Sequence, residues 1–160
     1  MTFRVYRKPS NAPKEDTKAS LFFIEDSTSQ LINVAARLFA RALQTRLASH
    51  GVSAGQWPLL LYLWERDGLS QKQLSRRVQI EEPTTTRTLD RMERDGLVFR
   101  KRDNKDRRRI NVFLTVRGQQ LQEELLPFAQ EVNALATHGL SDQDKAKINS
   151  LLTYIISRLE

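Results

Sequence analysis

The chain has 160 residues, no cysteine, 28% charged and 39% hydrophobic residues, and a net charge of +7. That length suits one fold with short appendages, and six glycines and five prolines suit a helical protein better than a turn-rich all-β one. The missing cysteine excludes disulfides, thiolate metal sites, cysteine nucleophiles and thiol redox sensing.

Charge is unevenly placed: residues 70–109 carry +6, residues 1–69 carry +3, and residues 110–160 carry −2. A basic centre in a milder frame points to a polyanion, with nucleic acid as the first partner to test. No apolar run approaches the ~18 to 20 residues of a membrane span, and residues 1–19 are charged where a signal peptide needs apolar side chains. A cytoplasmic protein without membrane contact is therefore expected.

In chain order, residues 1–20 mix Pro9, Pro13, Ser10 and charges without periodicity and read as an extended, partly disordered arm. Within the next stretch, 21–50, Ser27 and Gln30 have capping-box spacing. Leu31, Ala35, Leu38, Ala42 and Leu43 then recur at helical intervals up to a stop at Gly51. Ser53 can cap a second helix that carries Trp57, Leu60, Leu61 and Trp64, tolerates Pro58 in its first turn, and ends near Asp67.

The pentapeptide ERDGL occurs at Glu65–Leu69 and again at Glu93–Leu97. The flanks do not match, so the repeat is no duplication. A helix end followed by a left-handed glycine and an apolar residue is what a Schellman-type cap requires. Between the copies, Ser70 caps a short helix through Leu74 and Val78, Gln79–Glu81 form a turn, and Pro83 opens another helix. The punctuation is that of a helix-turn-helix.

Leu97–Arg102 and Ile110–Leu114 read as a two-stranded hairpin with a polar tip, which must lean on the helices to be stable. Thr115 caps a long helix with Leu121, Leu125, Phe128, Val132 and Leu135 along one seam and a kink expected at Pro127. After Gly139, Ser141 and Asp144 open a last helix with Ile148, Leu151, Leu152, Ile155, Ile156 and Leu159. Together these describe a mainly α chain with a small β-hairpin wing. Its parts are an N-terminal helix within 21–50, a winged helix-turn-helix at 51–116 and packing helices at 117–160.

Along the Pro83 helix, Thr85, Leu89 and Met92 share an inward face, leaving Thr84, Arg87, Arg91 and Arg94 as an outward stripe. Arginine reads guanine O6 and N7 in bidentate fashion, and threonine reaches either a base edge or a thymine methyl. The same stripe on an ordinary solvated helix would mean nothing. The hairpin adds weight, because seven cations fall within Arg100–Arg109 and repel one another unless an anion neutralises them. Asp106 is better placed to aim a neighbouring guanidinium by a fork-like pair than to touch a phosphate.

The segment Gly51–Gly118 resembles the winged helix-turn-helix of the MarR (multiple antibiotic resistance regulator) family. The resemblance rests on LSQKQLSRRV, PTTTRTLDRMERDGLV, the wing sequence DRR at Asp106–Arg108, and LTVRG before the long helix. It implies an obligate homodimer on a pseudo-palindromic duplex, joined by the N- and C-terminal helices, with one helix of each subunit in the major groove and the wing in the minor groove. By position, it assigns groove contacts to Thr84, Thr86 and Arg87, a wing-tip arginine to Arg108 oriented by Asp106, and phosphate-side positions to Gln71 and Gln73. Arg91 and Arg107 complete the expected DNA surface.

The family also implies a repressor released by a small aromatic or anionic, often phenolic, effector. Trp57 and Trp64, seven residues apart on one helix, are the candidate lining, with Arg46 and His50 as partners for a carboxylate or phenol. Tryptophans at this spacing are more often core, and a histidine before a helix-ending glycine can simply complement the helix dipole. No cofactor and no metal is expected, since two histidines 88 positions apart are a poor start for a site. An enzyme is disfavoured too: P-loop, GxGxxG, GxSxG and HExxH motifs are all absent. An architectural winged-helix DNA-binding protein without small-molecule control is the alternative.

Overall fold

The computed structural model describes residues 27–106 and 108–160. The expected arm at 1–20 therefore lies outside the described residues, as does Arg107. Two units divide the chain, residues 1–34 and 35–160; of the first, residues 27–34 are described, Ser27 just ahead of α1 and residues 28–34 in its opening turns. The element order is α1 (Thr28–Ser49), α2 (Trp57–Glu65), β1 (Leu69–Ser70), α3 (Gln71–Val78), α4 (Glu82–Arg94), β2 (Val98–Arg102), β3 (Ile110–Leu114), α5 (Val116–Ala136) and α6 (Asp142–Leu159). This is a mainly helical winged helix-turn-helix. Among the described residues, no helix is long and apolar enough to cross a membrane.

The core gathers Leu43 and Leu47 from the end of α1, Leu59, Leu60 and Leu63 from α2, and Leu74, Leu89 and Met92 from α3 and α4. Leu97, Val98, Val112 and Leu114 join it from the wing, and Leu121 and Leu125 from α5. Helices α1 to α5 thus each turn one apolar stripe to a common centre. Helix α6 contributes no buried residue.

Several starts and stops follow the sequence. Ser70 caps α3 in a full capping box with Gln73, Thr115 caps α5 by accepting from the Gly118 amide, and Ser141 with Asp144 forms a second capping box on α6. Pro83 falls in the first turn of α4, and α5 continues across Pro127. The second helix differs from expectation. It starts at Trp57, not at Ser53, because the Gln56 side chain accepts the Ser53 amide at 2.8 Å and closes a turn ahead of the helix. Its Nε2 donates to Asp95 at 2.8 Å, tying that turn to the end of α4.

The two ERDGL copies also part company. After α4, the Leu97 amide bonds the Met92 carbonyl and the Gly96 amide bonds the Glu93 carbonyl, the paired bonds of a Schellman cap, with Gly96 at φ +70°. After α2 no such pair forms. The Asp67 carboxylate instead takes the Gly68 amide at 3.0 Å and the Leu114 amide of the wing at 2.9 Å. The first copy therefore launches a strand. Leu69 and Ser70 pair with Val112 and Asn111, so the expected two-stranded hairpin is a three-stranded antiparallel sheet of order β1-β3-β2. A hairpin alone is marginal, and β1 pins the wing to the α2–α3 junction. Gly118 seats α5 on the wing: a Cβ there would fall 2.1 Å from the Leu97 carbonyl oxygen.

Candidate nucleic-acid interface

Helix α4 holds its face by burial. Thr85, Thr88, Leu89 and Met92 are buried, and Thr84, Arg87, Arg91 and Arg94 are exposed. The inward threonines spend their hydroxyls on backbone, Thr88 on Thr84 O at 3.0 Å and Thr85 on Ile80 O at 3.4 Å. Thr84 keeps its hydroxyl free of any bond to a described residue. The exposed stripe thus presents a hydroxyl and three guanidiniums.

Beside that stripe lies a polar cleft of about 540 Å³, walled by Ser70, Gln71, Lys72, Gln73 and Arg76 of the α3 start, Glu82 of α4, and Asp106, Arg108 and Arg109 of the wing. It joins the short helix, the recognition-type helix and the wing in one concave, cation-rich surface. Gln73 is doubly engaged: its Oε1 takes the Ser70 amide and hydroxyl at 2.9 and 3.0 Å, and Arg109 Nη2 at 2.7 Å. Arg109 also donates to Asn111 at 3.0 Å, so it locks the wing against α3.

The wing cations are not equivalent. Arg100 lies in the grip of Asp90 and Glu93, with Nη2 at 2.6 Å from one carboxylate and 2.7 Å from the other. Burial opposes its charge, but the bonds and charges of Glu93 and Asp90 outweigh this and hold its pKa above the ordinary value. It is a strut between β2 and α4. Asp103 organises the tip. Its carboxylate takes the Lys105 amide at 2.8 Å, the Asp106 amide at 3.1 Å and Asn111 Nδ2 at 3.0 Å. These bonds, the Lys105 amide foremost, hold it below the usual carboxylate range.

Among the described residues Asp106 makes no fork with a guanidinium. Its Oδ1 accepts the Arg108 backbone amide at 3.0 Å, an Asx-type turn, so it shapes the loop that carries Arg108 without gripping the guanidinium. The side chain of Arg108 is exposed.

The four ligand candidates fall into two pairs, Trp57 with Trp64 and Arg46 with His50, and do not line one pocket as expected. An apolar cleft of about 230 Å³ is lined by Phe39, Leu43 and Leu47 of α1, Trp57 and Pro58 of α2, and Ala129, Val132 and Asn133 of α5. Trp57 alone of the four lines it. Trp64 stands edge-on to Trp57 at 5.5 Å and donates its indole N–H to Gly118 O at 2.8 Å. Arg46 pairs with Glu131 and lies over the Phe128 ring, and His50 Nε2 is 3.4 Å from Glu124, with Nδ1 on the Arg46 carbonyl side at 2.9 Å. The carboxylates of α5 reach both residues, and no local pattern in α1 could signal partners 74 and 85 positions away.

The fold and this surface define a winged helix-turn-helix protein. Residues 52–110 match the MarR family. The HTH-type transcriptional regulator TtmR of Methylorubrum extorquens (strain PA1) is 34% identical over 120 residues, 75% of this chain, which spans 61% of TtmR. The uncharacterized HTH-type transcriptional regulator YwoH of Bacillus subtilis (strain 168) is 31% identical over 131 residues, covering 79% of this chain and 92% of YwoH. Among solved structures, the S. aureus MepR–DNA complex superposes with a TM-score of 0.77 at 26% identity, over 84% of this chain and 99% of that one. The chain belongs to the MarR family of transcriptional regulators.

Proposed function

We propose that the protein is a homodimeric, sequence-specific DNA-binding regulator that represses from a pseudo-palindromic operator and is released by a small aromatic compound. The observation that carries the reading is the union of the exposed outer face of α4 with the cationic cleft beside it. Thr84, Thr86 and Arg87 meet base edges, and Arg91 meets phosphate at the groove wall. Gln71 and Gln73 stand at the phosphate side of the cleft, where Gln73 still has its amide NH2 to give. Arg108, presented by the Asp106 turn, enters the minor groove together with Arg107.

The dimer is supported by α1 and α6. Leu38, Phe39, Ile148, Leu151, Ile156 and Leu159 are exposed in the single chain, an apolar surface larger than a lone soluble helix tolerates. Covering it with a second copy also supplies the second reading head that a palindrome needs. The effector reading rests on the Trp57 cleft. Its polar side-chain groups are the Asn133 amide and the Trp57 indole N–H, with no charged group, while Arg46 and His50 are held by α5, so a neutral aromatic or phenol fits better than a carboxylate.

The decisive experiment selects a duplex from a random pool and compares its affinity with that of random DNA at physiological salt. A preference of about 10³-fold or more is expected. Near-equal affinities would leave an electrostatic, architectural binder.

A further inference from the structure

Thr84 and Thr86 lie two residues apart at the start of α4, and their hydroxyls are in different states. Thr84 is exposed, and its hydroxyl, able to donate and accept, bonds no described residue. Thr86 Oγ1 donates to the Glu82 carbonyl one turn earlier at 2.9 Å and accepts from Gln71 Nε2 at 3.3 Å. A threonine hydroxyl has one proton, and here it is spent. Bonding of Oγ1 to the carbonyl four residues back selects one of the two helical threonine rotamers, and the Gln71 contact holds that choice from a second helix.

The Gln71 amide has no comparable value to the fold. Its Oε1 is buried without a partner among the described residues, a destabilising arrangement, and its only bond runs to Thr86. We propose that Gln71 is a positioning residue for sequence readout: it fixes Thr86 so that the γ-methyl, and not the hydroxyl, meets a thymine methyl in the bound duplex. This rests on the reading of α4 as the helix that enters the major groove. With its proton committed and one of its two lone pairs taken, the Thr86 hydroxyl can no longer donate to a base and keeps a single acceptor site, whereas its γ-methyl is unencumbered for apolar contact with a thymine C5-methyl. The two threonines then divide the work, Thr84 reading a polar edge and Thr86 a methyl.

The test uses the full chain and the duplex it enriches from a random pool, with each thymine replaced in turn by deoxyuridine, which lacks only the methyl. For the wild type, one replacement per half-site is expected to weaken binding about 3- to 5-fold, the worth of one buried methyl. Thr86→Ser keeps the hydroxyl and both bonds and should bind the thymine and uracil duplexes equally. Gln71→Met should leave the melting temperature unchanged or raised, because it removes an unsatisfied buried acceptor, yet shrink the thymine preference below about two-fold.

A wild type indifferent to every replacement, or a Thr86→Ser variant that keeps the preference, overturns the methyl readout. Full preference in Gln71→Met overturns the positioning role. Failure of the pool to enrich any sequence would instead overturn the sequence-specific reading on which the inference stands.

Discussion

In α2, Leu59, Leu60 and Leu63 are at most 2% exposed, whereas in α6 Leu151 and Ile156 are each 54% exposed and Leu159 is 83% exposed. Both helices carry several leucines, and α6 has the better caps, with a complete capping box that α2 lacks. Capping and propensity thus make α6 a helix without giving its apolar face anywhere to go inside one chain. The body closes its own core, and under the proposed dimer the apolar face of α6 is covered by a second copy. The unit that folds and the unit that functions are, on this reading, different in size.

Substitutions can break that contrast. Leu60→Ala in the body should cost about 2 to 5 kcal/mol in thermal or denaturant unfolding, by removing a fully buried side chain. Leu151→Asp paired with Ile156→Asp should leave the helical circular dichroism of the body in place, reduce the mass in light scattering to a single chain, and remove the concentration dependence of the melting temperature. A mass of one chain for the wild type at micromolar concentration would erase the distinction between the regions.

Gly118→Ala tests the joint where α5 meets the wing. The added methyl would strike the Leu97 carbonyl, so a loss of about 1 to 3 kcal/mol is expected in unfolding experiments. Arg87→Ala acts on binding alone. It should cost about 1 to 3 kcal/mol on the selected duplex and flatten preference at one base pair per half-site, with the melting temperature unchanged.

A smaller loss of affinity is expected for Asp106→Ala, although it removes a negative charge near DNA, since the turn that presents Arg108 is lost. Tighter binding by this variant would mean that the wing acts as a diffuse cation cloud. The smallest effect concerns pH. Asp103 is held below the usual carboxylate range by the Lys105 amide, Asn111 and the Asp106 amide, so its contribution to wing order is present above the unfolded-state pKa and is lost as pH falls through the lower folded value. Amide exchange at Lys105 and Asp106 should accelerate over that acidic interval, and Asp103→Asn should flatten the pH dependence.

Local signals account for much of the fold. Gly51, Gly68, Gly96 and Gly139 all adopt positive φ, and Ser70, Thr115 and Ser141 all cap helices, because these choices depend on the backbone within a few residues. The face of α4 was legible for the same reason, as helical periodicity separates Thr85, Leu89 and Met92 from Thr84, Arg87 and Arg91.

What escaped the sequence is long-range. One ERDGL copy ends in a Schellman cap and the other in a strand start because Asp67 finds the Leu114 amide 47 positions away. The same blindness hid the capture of Arg100 by Asp90 and Glu93, the lock between Arg109 and Gln73, and the carboxylates that draw Arg46 and His50 away from the Trp57 cleft. Each is a pairing of charged or polar tips across elements, which leaves no periodic trace in either partner.

The contrast between a closed body and an open terminal helix is tested most directly by titrating the protein onto the selected duplex in two forms, one with both half-sites and one with a single half-site, and measuring affinity and mass of the complex. Two chains per duplex are expected on the paired site, with half-sites 10 to 10.5 base pairs apart or a multiple of that spacing, and binding at least about 100-fold weaker on the single site. Equal affinity for the two duplexes with one chain bound to each would contradict the account.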